Sequence, residues 1–198
     1  EIVRDLALAA SGLLNRRSGG PSSYPPQPDG VYAFTQRKAA WPTSTGEDRY
    51  RRGMYTFFKR TAPHPNLTTF DCPDSNTTSV ARRTSNTPLQ ALTLLNNDVF
   101  FEAAQALASQ TMAREAPGDV QRMTMLLRHC LARKPSEFEV QRFVNLLNRS
   151  RQWYAENENE AQRITARHQP AQVDDGEAAA WVSVARIVLN LDEFITRE

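Results

Sequence analysis

Helix-start signals recur along the C-terminal part of the chain and constrain its fold more than any other feature. The ranges 87–90 (Thr-Pro-Leu-Gln) and 136–139 (Ser-Glu-Phe-Glu) are both capping boxes. In such a box a hydroxyl accepts from a free helix amide and the Gln or Glu side chain reaches back to the cap. Pro88 stands at the first helical position, where no donor is missed. We therefore predict that residues 87–198 form a helical bundle.

About five helices are expected in this bundle, because apolar residues recur there at three- and four-residue spacing. They begin at Thr87, Asp98, Asp119 (as a cap), Ser136 and Gly176, the last capped by the Asp pair at 174–175. The residues predicted to face inward are Leu89, Leu92, Leu95, Val99, Phe100, Ala103, Leu107, Val120, Met123, Leu127, Cys130, Leu131, Val140, Phe143, Leu147, Tyr154, Trp181, Val184, Ala185, Val188 and Leu189.

The fourth of these helices is predicted to run from Ser136 to about Ala166. Its distal half is polar, so we expect that half to project into solvent, and Pro170 ends the helix.

The first 86 residues have a different character. Residues 1–14 predict a helix whose apolar stripe includes Ile2, Leu6 and Leu13, and residues 15–86 predict ordered loops. Five of the 12 prolines and five of the eight glycines lie between Gly12 and Gly46. The whole chain is thus predicted to be one mainly α domain, with an irregular Pro/Gly-rich N-terminal segment before the bundle. Its start inside a helical pattern indicates the C-terminal part of a larger domain.

Charge follows the same division. The net charge of +2 hides 12 basic and 7 acidic residues in 1–86 against 12 basic and 15 acidic residues in 87–198. The two parts are expected to attract each other. A chain this close to neutral is not expected to bind nucleic acid as a whole, and no apolar run approaches the roughly 20 residues of a membrane-spanning helix.

A basic, aromatic cluster in the loops is the main candidate for binding. Its members are Arg51, Arg52, Tyr55, Lys59, Arg60, Arg82 and Arg83. Arginines here either tie irregular loops to carbonyl and carboxylate groups or bind an acidic polysaccharide, because the guanidinium fork pairs with both kinds of acceptor. Structural anchoring is the simpler interpretation, since loop carbonyls need donors.

A second candidate group lies on one loop and consists of His64, Asp71, Cys72 and Asp74. Imidazole, thiolate and carboxylate are metal ligands, but this spacing matches no ligand motif. We therefore assign no metal site, and expect the aspartates to bond their own loop amides. No catalytic residue is assigned either, since no nucleophile motif is present.

The two cysteines, Cys72 and Cys130, are 58 positions apart, with no C-x-x-C-H. Neither a disulfide framework nor a covalently attached haem is expected within the chain, and Cys130 is expected to be a small buried apolar residue.

Several strings together resemble a known family. They lie at 51–65, 69–74, 82–92, 94–97, 180–181 and 188–194. The chain resembles the C-terminal domain of unknown function of large planctomycete surface proteins that carry a cytochrome-c-like module.

The resemblance implies an exported or cell-surface protein whose haem lies in a separate upstream module, with no cofactor in this segment. The expected function is a non-catalytic scaffold or binding module whose partners are other domains of the same polypeptide. The alternative is a domain that binds or acts on polysaccharide through the basic and aromatic loops.

Overall fold

The computed structural model describes residues 1–33, 35, 40–165, 167–169 and 173–196. Within these ranges the regular structure is helical, which confirms the mainly α prediction. The helices are α1 Ile2–Ala10, α2 Pro65–Thr69, α3 Pro88–Asn96, α4 Asp98–Ala113, α5 Asp119–Leu131, α6 Glu137–Glu156, α7 Glu158–Thr165, α8 Asp175–Leu189 and α9 Asp192–Ile195. Two 3₁₀ turns, Gly46–Tyr50 and Gly53–Tyr55, lie between α1 and α2.

Helix α8 is the centre of the bundle and packs against α4, α6 and α7. Three consecutive alanines at 178–180 are buried, and they let neighbouring helices approach closely. Trp181 is fully buried, and its indole Nε1 donates to Glu177 Oε1 at 2.8 Å. A large buried ring with a satisfied N–H gives α8 both apolar contact area and a fixed orientation.

Both predicted capping boxes are present. Thr87 Oγ1 accepts from the amide of Gln90 at 3.3 Å, and Ser136 Oγ accepts from that of Glu139 at 3.2 Å. Asp174 caps α8 as predicted. The predicted inward residues that are buried are Val99, Phe100, Ala103, Leu107, Met123, Leu127, Cys130, Val140, Leu147, Tyr154, Trp181, Val184, Ala185, Val188 and Leu189.

Three predicted core residues are exposed instead. Leu89, Leu92 and Val120 leave 61%, 55% and 57% of their surface in solvent. Helix α3 turns Gln90 and Leu94 inward. The side-chain Nε2 of Gln90 donates to the carbonyl of Thr69 at 2.9 Å. This polar contact with the loop region determines which side of α3 is buried.

The prediction of one long fourth helix is wrong, because this segment divides at Asn157 into two helices, α6 and α7. Asn157 leaves the helical conformation, and its side chain donates to the carbonyl of Trp153 at 2.7 Å. Helix α7 then packs on α8 and buries Ala161 and Thr165, so this polar half does not project into solvent. The predicted end at Ala166 and the terminating Pro170 lie outside the described residues.

Helix α1 ends at Ala10, four residues earlier than predicted. Gly12 follows with a φ of +71°, and a Cβ there would lie 2.1 Å from Gln110 Nε2 of α4. Only glycine fits this turn. Leu6 and Leu13 pack against the core, whereas Ile2 is 64% exposed.

Two further helices begin differently from the prediction. Helix α2 begins at Pro65 inside the segment predicted to be loop, with proline again at the first helical position. Helix α5 is preceded by Gly118 as the cap, and Asp119 is its first residue. The described residues include no helix that combines the length and the apolar character needed to cross a bilayer.

The loop segment is held on the bundle by a buried carboxylate. Glu102 of α4 accepts from Arg49 Nε and Nη2, each at 3.0 Å, and from Tyr50 Oη at 2.8 Å. Burial by itself would raise the pKa of Glu102, but the bonds from Tyr50 and Arg49 outweigh it and lower that pKa. The expected attraction between the two parts of the chain therefore has a concrete contact.

Candidate functional site: the loop face

Two segments, 15–25 and 51–57, run side by side and form what we call the loop face. The amide of Asn15 donates to the carbonyl of Tyr50 at 3.0 Å, and that of Ser23 to the carbonyl of Tyr55 at 2.7 Å. The amide of Phe57 returns to the carbonyl of Ser23 at 2.8 Å. These bridges are isolated and parallel, so the segments are aligned without forming a sheet.

Arg51 holds the loop face together from beneath. Its side chain is buried, and its guanidinium donates to the carbonyl of Pro21 at 2.5 Å and to that of Gly19. Arg4, buried on α1, donates to the carbonyl of Arg51 at 2.7 Å and to that of Arg49 at 2.9 Å. These two arginines satisfy loop carbonyls that no sheet partner reaches. Arg51 is one of the residues predicted from the sequence as a candidate, whereas Arg4 is not.

Tyr55 lies between two guanidinium groups at one end of the loop face. Arg51 is 3.9 Å and Arg52 is 5.7 Å from the centre of its ring. Tyr55 Oη accepts from the amide of Gly19 at 2.8 Å, and this bond, with Arg52, lowers the pKa of Tyr55. Arg52 also donates to Ser18 Oγ at 3.3 Å.

Arg16 and Arg17 are exposed on segment 15–25, and their neighbour Ser18 is the residue that accepts from Arg52. Arg17 lies close enough to Gly20 that a Cβ there would be 3.7 Å from its Nη2. We call Arg16, Arg17 and Arg52 the basic corner. Arg16 and Arg17 were not predicted as candidates, because the pairing that brings 15–25 beside 51–57 leaves no pattern in the sequence.

Four aromatic rings gather at the other end of the loop face. Tyr24 stacks on Phe57 at a centroid distance of 5.1 Å and meets Trp41 edge-on at 5.1 Å. Tyr32 meets Trp41 at 5.6 Å, and Lys59 Nζ lies 3.9 Å above the Tyr32 ring. Trp41 is fixed further by a 2.7 Å hydrogen bond from its Nε1 to the carbonyl of Pro25.

A cleft of about 370 Å³ opens beside these rings, and we call it the aromatic cleft. Residues 27–33, Ala40, Trp41 and Thr43 line it. Tyr32 Oη and Gln27 Oε1 are shielded from solvent yet have no hydrogen-bond partner within the described part of the chain. Such atoms retain hydrogen-bonding capacity for a ligand or for water.

His64 is a structural residue. Its ring is buried, Nδ1 accepts from the amide of Asn66 at 3.2 Å, and Nε2 lies 3.0 Å from the carbonyl of Pro26. This arrangement requires a neutral ring with its proton on Nε2. Burial lowers the pKa of His64, which favours the same state.

The other members of the His64–Asp74 loop do not converge on one point. Asp71 accepts from the amide and the hydroxyl of Ser85 at 2.9 and 2.6 Å, and Asp74 accepts from the amide of Asn76 at 3.0 Å. Cys72 and Cys130 are both free thiols. Within the described ranges, no group of three or more His, Cys, Asp or Glu side chains could hold a metal ion.

The remaining predicted residues are dispersed. Arg60 donates to Asn76 Oδ1 at 2.7 Å, and Arg82 pairs with Glu1 at 3.1 Å. Arg83 is exposed and has no hydrogen bond or ion pair among the described residues. The candidate set thus splits into loop anchors, a basic corner and isolated surface cations.

The family comparison bears on the same region. A model for PSD1, a protein of unknown function (DUF1553), matches residues 1–147, which include the whole loop face. Neither the comparison with curated proteins nor the comparison with solved structures gives a match. Because the family model covers well over half of its length, the chain belongs to the PSD1 (DUF1553) family of proteins of unknown function.

Proposed function

We propose that this chain is a non-catalytic binding module whose loop face holds an acidic polysaccharide. The observation that carries the proposal is the arrangement of the loop face, with an aromatic cleft at one end and a basic corner at the other. Because both lie on the loop face, a chain-like ligand can contact the aromatic rings and the cations together.

The aromatic cleft is suited to a sugar ring. The apolar face of a pyranose stacks on flat aromatic rings, and Phe57 leaves 36% of its surface in solvent for such a contact. Tyr32 Oη and Gln27 Oε1, which have no partner within the described residues, can bond to sugar hydroxyls that enter the cleft. An aromatic surface with a few polar groups is the usual composition of a small-molecule site.

The cations point to an acidic ligand. Guanidinium groups pair with carboxylate and sulfate through two parallel bonds, and Arg16 and Arg17 have no carboxylate partner among the described residues. Lys59 adds a positive charge above Tyr32 at the aromatic end.

The contacts of the polar residues support a module without catalysis. His64 uses both ring nitrogens on the backbone, and Asp71 is engaged by Ser85. Neither offers a free acid or base toward the aromatic cleft, whose one lining carboxylate among the described residues is the exposed Asp29.

The same proposal includes the setting that the sequence resemblance implies. The chain would be exported and would support other domains of its own polypeptide, among them a c-type cytochrome module. The haem would belong to that module, because Cys72 and Cys130 are too far apart for the attachment motif.

Affinity electrophoresis or calorimetry with soluble polysaccharides tests the proposed ligand. Polygalacturonate and chondroitin sulfate supply carboxylate and sulfate groups, and neutral dextran is the matched control. We expect binding to an acidic polymer that weakens as salt rises, with no binding to dextran. Equal binding to dextran, tighter binding to single-stranded DNA, or no binding to any acidic polymer would overturn the proposal.

Variants test the site. Phe57→Ala should weaken binding about tenfold, because one stacked ring contributes on the order of 1 to 3 kcal/mol to comparable contacts. Trp153→Ala removes a ring of 49% exposure on α6 and serves as the control. Arg17→Gln with Arg52→Gln should reduce the salt dependence, whereas Arg149→Gln on α6 should not.

A further inference from the structure

An apolar groove runs along the opposite part of the molecule, outside the loop face. It has a volume of about 590 Å³ and lies between α5, α6 and the ends of α8 and α9. Its floor is formed by Leu127, Leu131, Phe143, Leu146 and Leu191, which also belong to or pack against the core. The groove is therefore continuous with the hydrophobic interior.

One large side chain stands on the edge of this groove. Phe138, in the first turn of α6, leaves 71% of its surface in solvent, and Ile187 of α8 leaves 38%. Exposed apolar side chains beside an apolar groove mark an interaction surface. The Phe138 side chain protrudes from the surface beside a concave groove. The same face of the molecule therefore carries both an apolar projection and a groove that can accept one.

Some of the charged side chains around the groove are paired within the chain, and others are not. Arg133 links Glu139 and Glu193 through bonds of 2.5 to 3.0 Å, so these carboxylates are already paired. Arg142 of α6, by contrast, contacts only the ring of Phe138, at 5.5 Å, and has no carboxylate partner among the described residues.

Asp192 lies on the other wall of the groove. Its side chain accepts one hydrogen bond, from Asn86 Nδ2 at 2.9 Å, and it has no cationic partner within the described part of the chain. Arg142 and Asp192 thus leave one positive and one negative charge on two sides of one groove.

We propose that two copies of this chain pair through this groove, with Phe138 of each copy entering the groove of the other. Because projection and receptor lie on one face, the pairing is two-fold and closes on itself. The two-fold axis also brings Arg142 of one copy to Asp192 of the second. This complementarity of charge identifies a second copy, and not an unrelated peptide, as the occupant.

The self-association of the purified chain is the first test. Sedimentation equilibrium from low micromolar to several hundred micromolar protein should show a monomer in exchange with a dimer. Phe138→Ser should weaken the dimer about 30-fold, as expected for a central aromatic side chain of an interface. Phe138 is exposed, so the variant should keep the wild-type melting temperature, which circular dichroism verifies.

A charge exchange is the sharper test, because a two-fold interface makes a specific demand. Arg142→Glu alone places like charges together, and Asp192→Arg alone does the same, so each should weaken the dimer about tenfold. The double variant restores opposite charges across the axis and should recover most of the affinity. Arg149→Glu, on an exposed part of α6, changes the same charge away from the groove and should have no effect.

Three results would overturn the proposal. The first is a chain that stays monomeric at every concentration. The second is a dimer that Phe138→Ser leaves intact. The third is a double variant as weak as, or weaker than, the two single variants. In none of these cases would polysaccharide binding at the loop face be affected, so the two proposals fail separately.

Discussion

Arg49 and Glu102 are 53 residues apart in sequence and joined by two hydrogen bonds of 3.0 Å. The pair ties the first 3₁₀ turn, Gly46–Tyr50, to the N-terminal half of α4. Tyr50 adds a third bond to the same carboxylate. This buried acid therefore anchors the loops on α4, in addition to the contacts that Arg4 makes from α1.

Removal of that acid should be costly. We expect Glu102→Ala to lower the free energy of unfolding by about 3 kcal/mol, because it leaves Arg49 and Tyr50 without their buried acceptor. Glu160→Ala removes the exposed partner of Arg163 and should change it by less than about 0.5 kcal/mol. Urea denaturation measures both, and equal effects would mean that the Glu102 contact adds nothing to stability.

Lowering the pH should remove a stabilising contact at the N-terminus of α6. Arg133, with Ser136, lowers the pKa of Glu139 from 4.5 to about 2. Since the folded pKa is the lower one, Glu139 stabilises the fold above pH 4.5, and this contribution is lost as pH falls toward 2. Glu139→Gln should therefore be less stable than wild type at neutral pH, and the difference should shrink across that window.

Glu137→Gln, in the same helical turn, is the control for this prediction. The structure gives the Glu137 side chain no hydrogen bond or ion pair within the described ranges. Denaturation curves at several pH values should place this variant parallel to wild type. A constant difference for Glu139→Gln across the window would contradict the assignment.

His64 should give a second pH effect at a higher range. Burial lowers its pKa below 6.5, so the folded protein holds the ring neutral while the unfolded chain takes up a proton. Stability is then complete above pH 6.5 and falls as pH drops through that value. His64→Asn retains a capping side chain for α2, does not titrate there, and should lack this fall.

At higher pH the same variant should be about 1 kcal/mol less stable, since it loses the bond to Pro26. His129→Asn is the control: this exposed ring lies 2.9 Å from the carbonyl of Ala10, so the variant loses one contact at every pH but should keep the wild-type decline. Thermal melts in matched buffers measure the profiles. If His64→Asn declined below pH 6.5 as steeply as wild type, another group would be responsible.

The two thiols should react at different rates. Burial raises the pKa of Cys130 to about 12 and also raises that of Cys72, which is only partly buried. The thiolate is the reactive form. A disulfide reagent near neutral pH should label Cys72 slowly in the native protein and Cys130 only after unfolding, with Cys72→Ala identifying each phase. Rapid labelling of Cys130 in the native state would contradict its burial.

Local sequence signals predicted the helices well, since a cap needs only residues three positions apart. Thr87 and Ser136 begin helices as expected, and Trp181 is in the core. Periodicity misassigned Leu89 because α3 has apolar residues on more than one side, and a distant contact of Gln90 chose between them.

The candidate site was harder to predict, because it too depends on contacts between residues that are distant in the sequence. Arg51 was recognised as a candidate for loop anchoring, and its carbonyl contacts agree with that interpretation. The basic corner depends on the alignment of Asn15 with Arg51 and of Ser23 with Thr56, which are isolated bridges between loops. No residue pattern encodes a bridge of this kind, so Arg16 and Arg17 could not be identified from sequence.

The way in which Arg51 anchors the loop has a consequence for how the surface can vary. The Arg51 guanidinium donates to the backbone carbonyls of Gly19 and Pro21, and every amino acid has such a carbonyl. Side chains at neighbouring exposed positions, such as Arg16 and Ser18, can therefore be exchanged without loosening the anchor. Substitutions at such positions should therefore change the charge of the loop face without displacing its backbone.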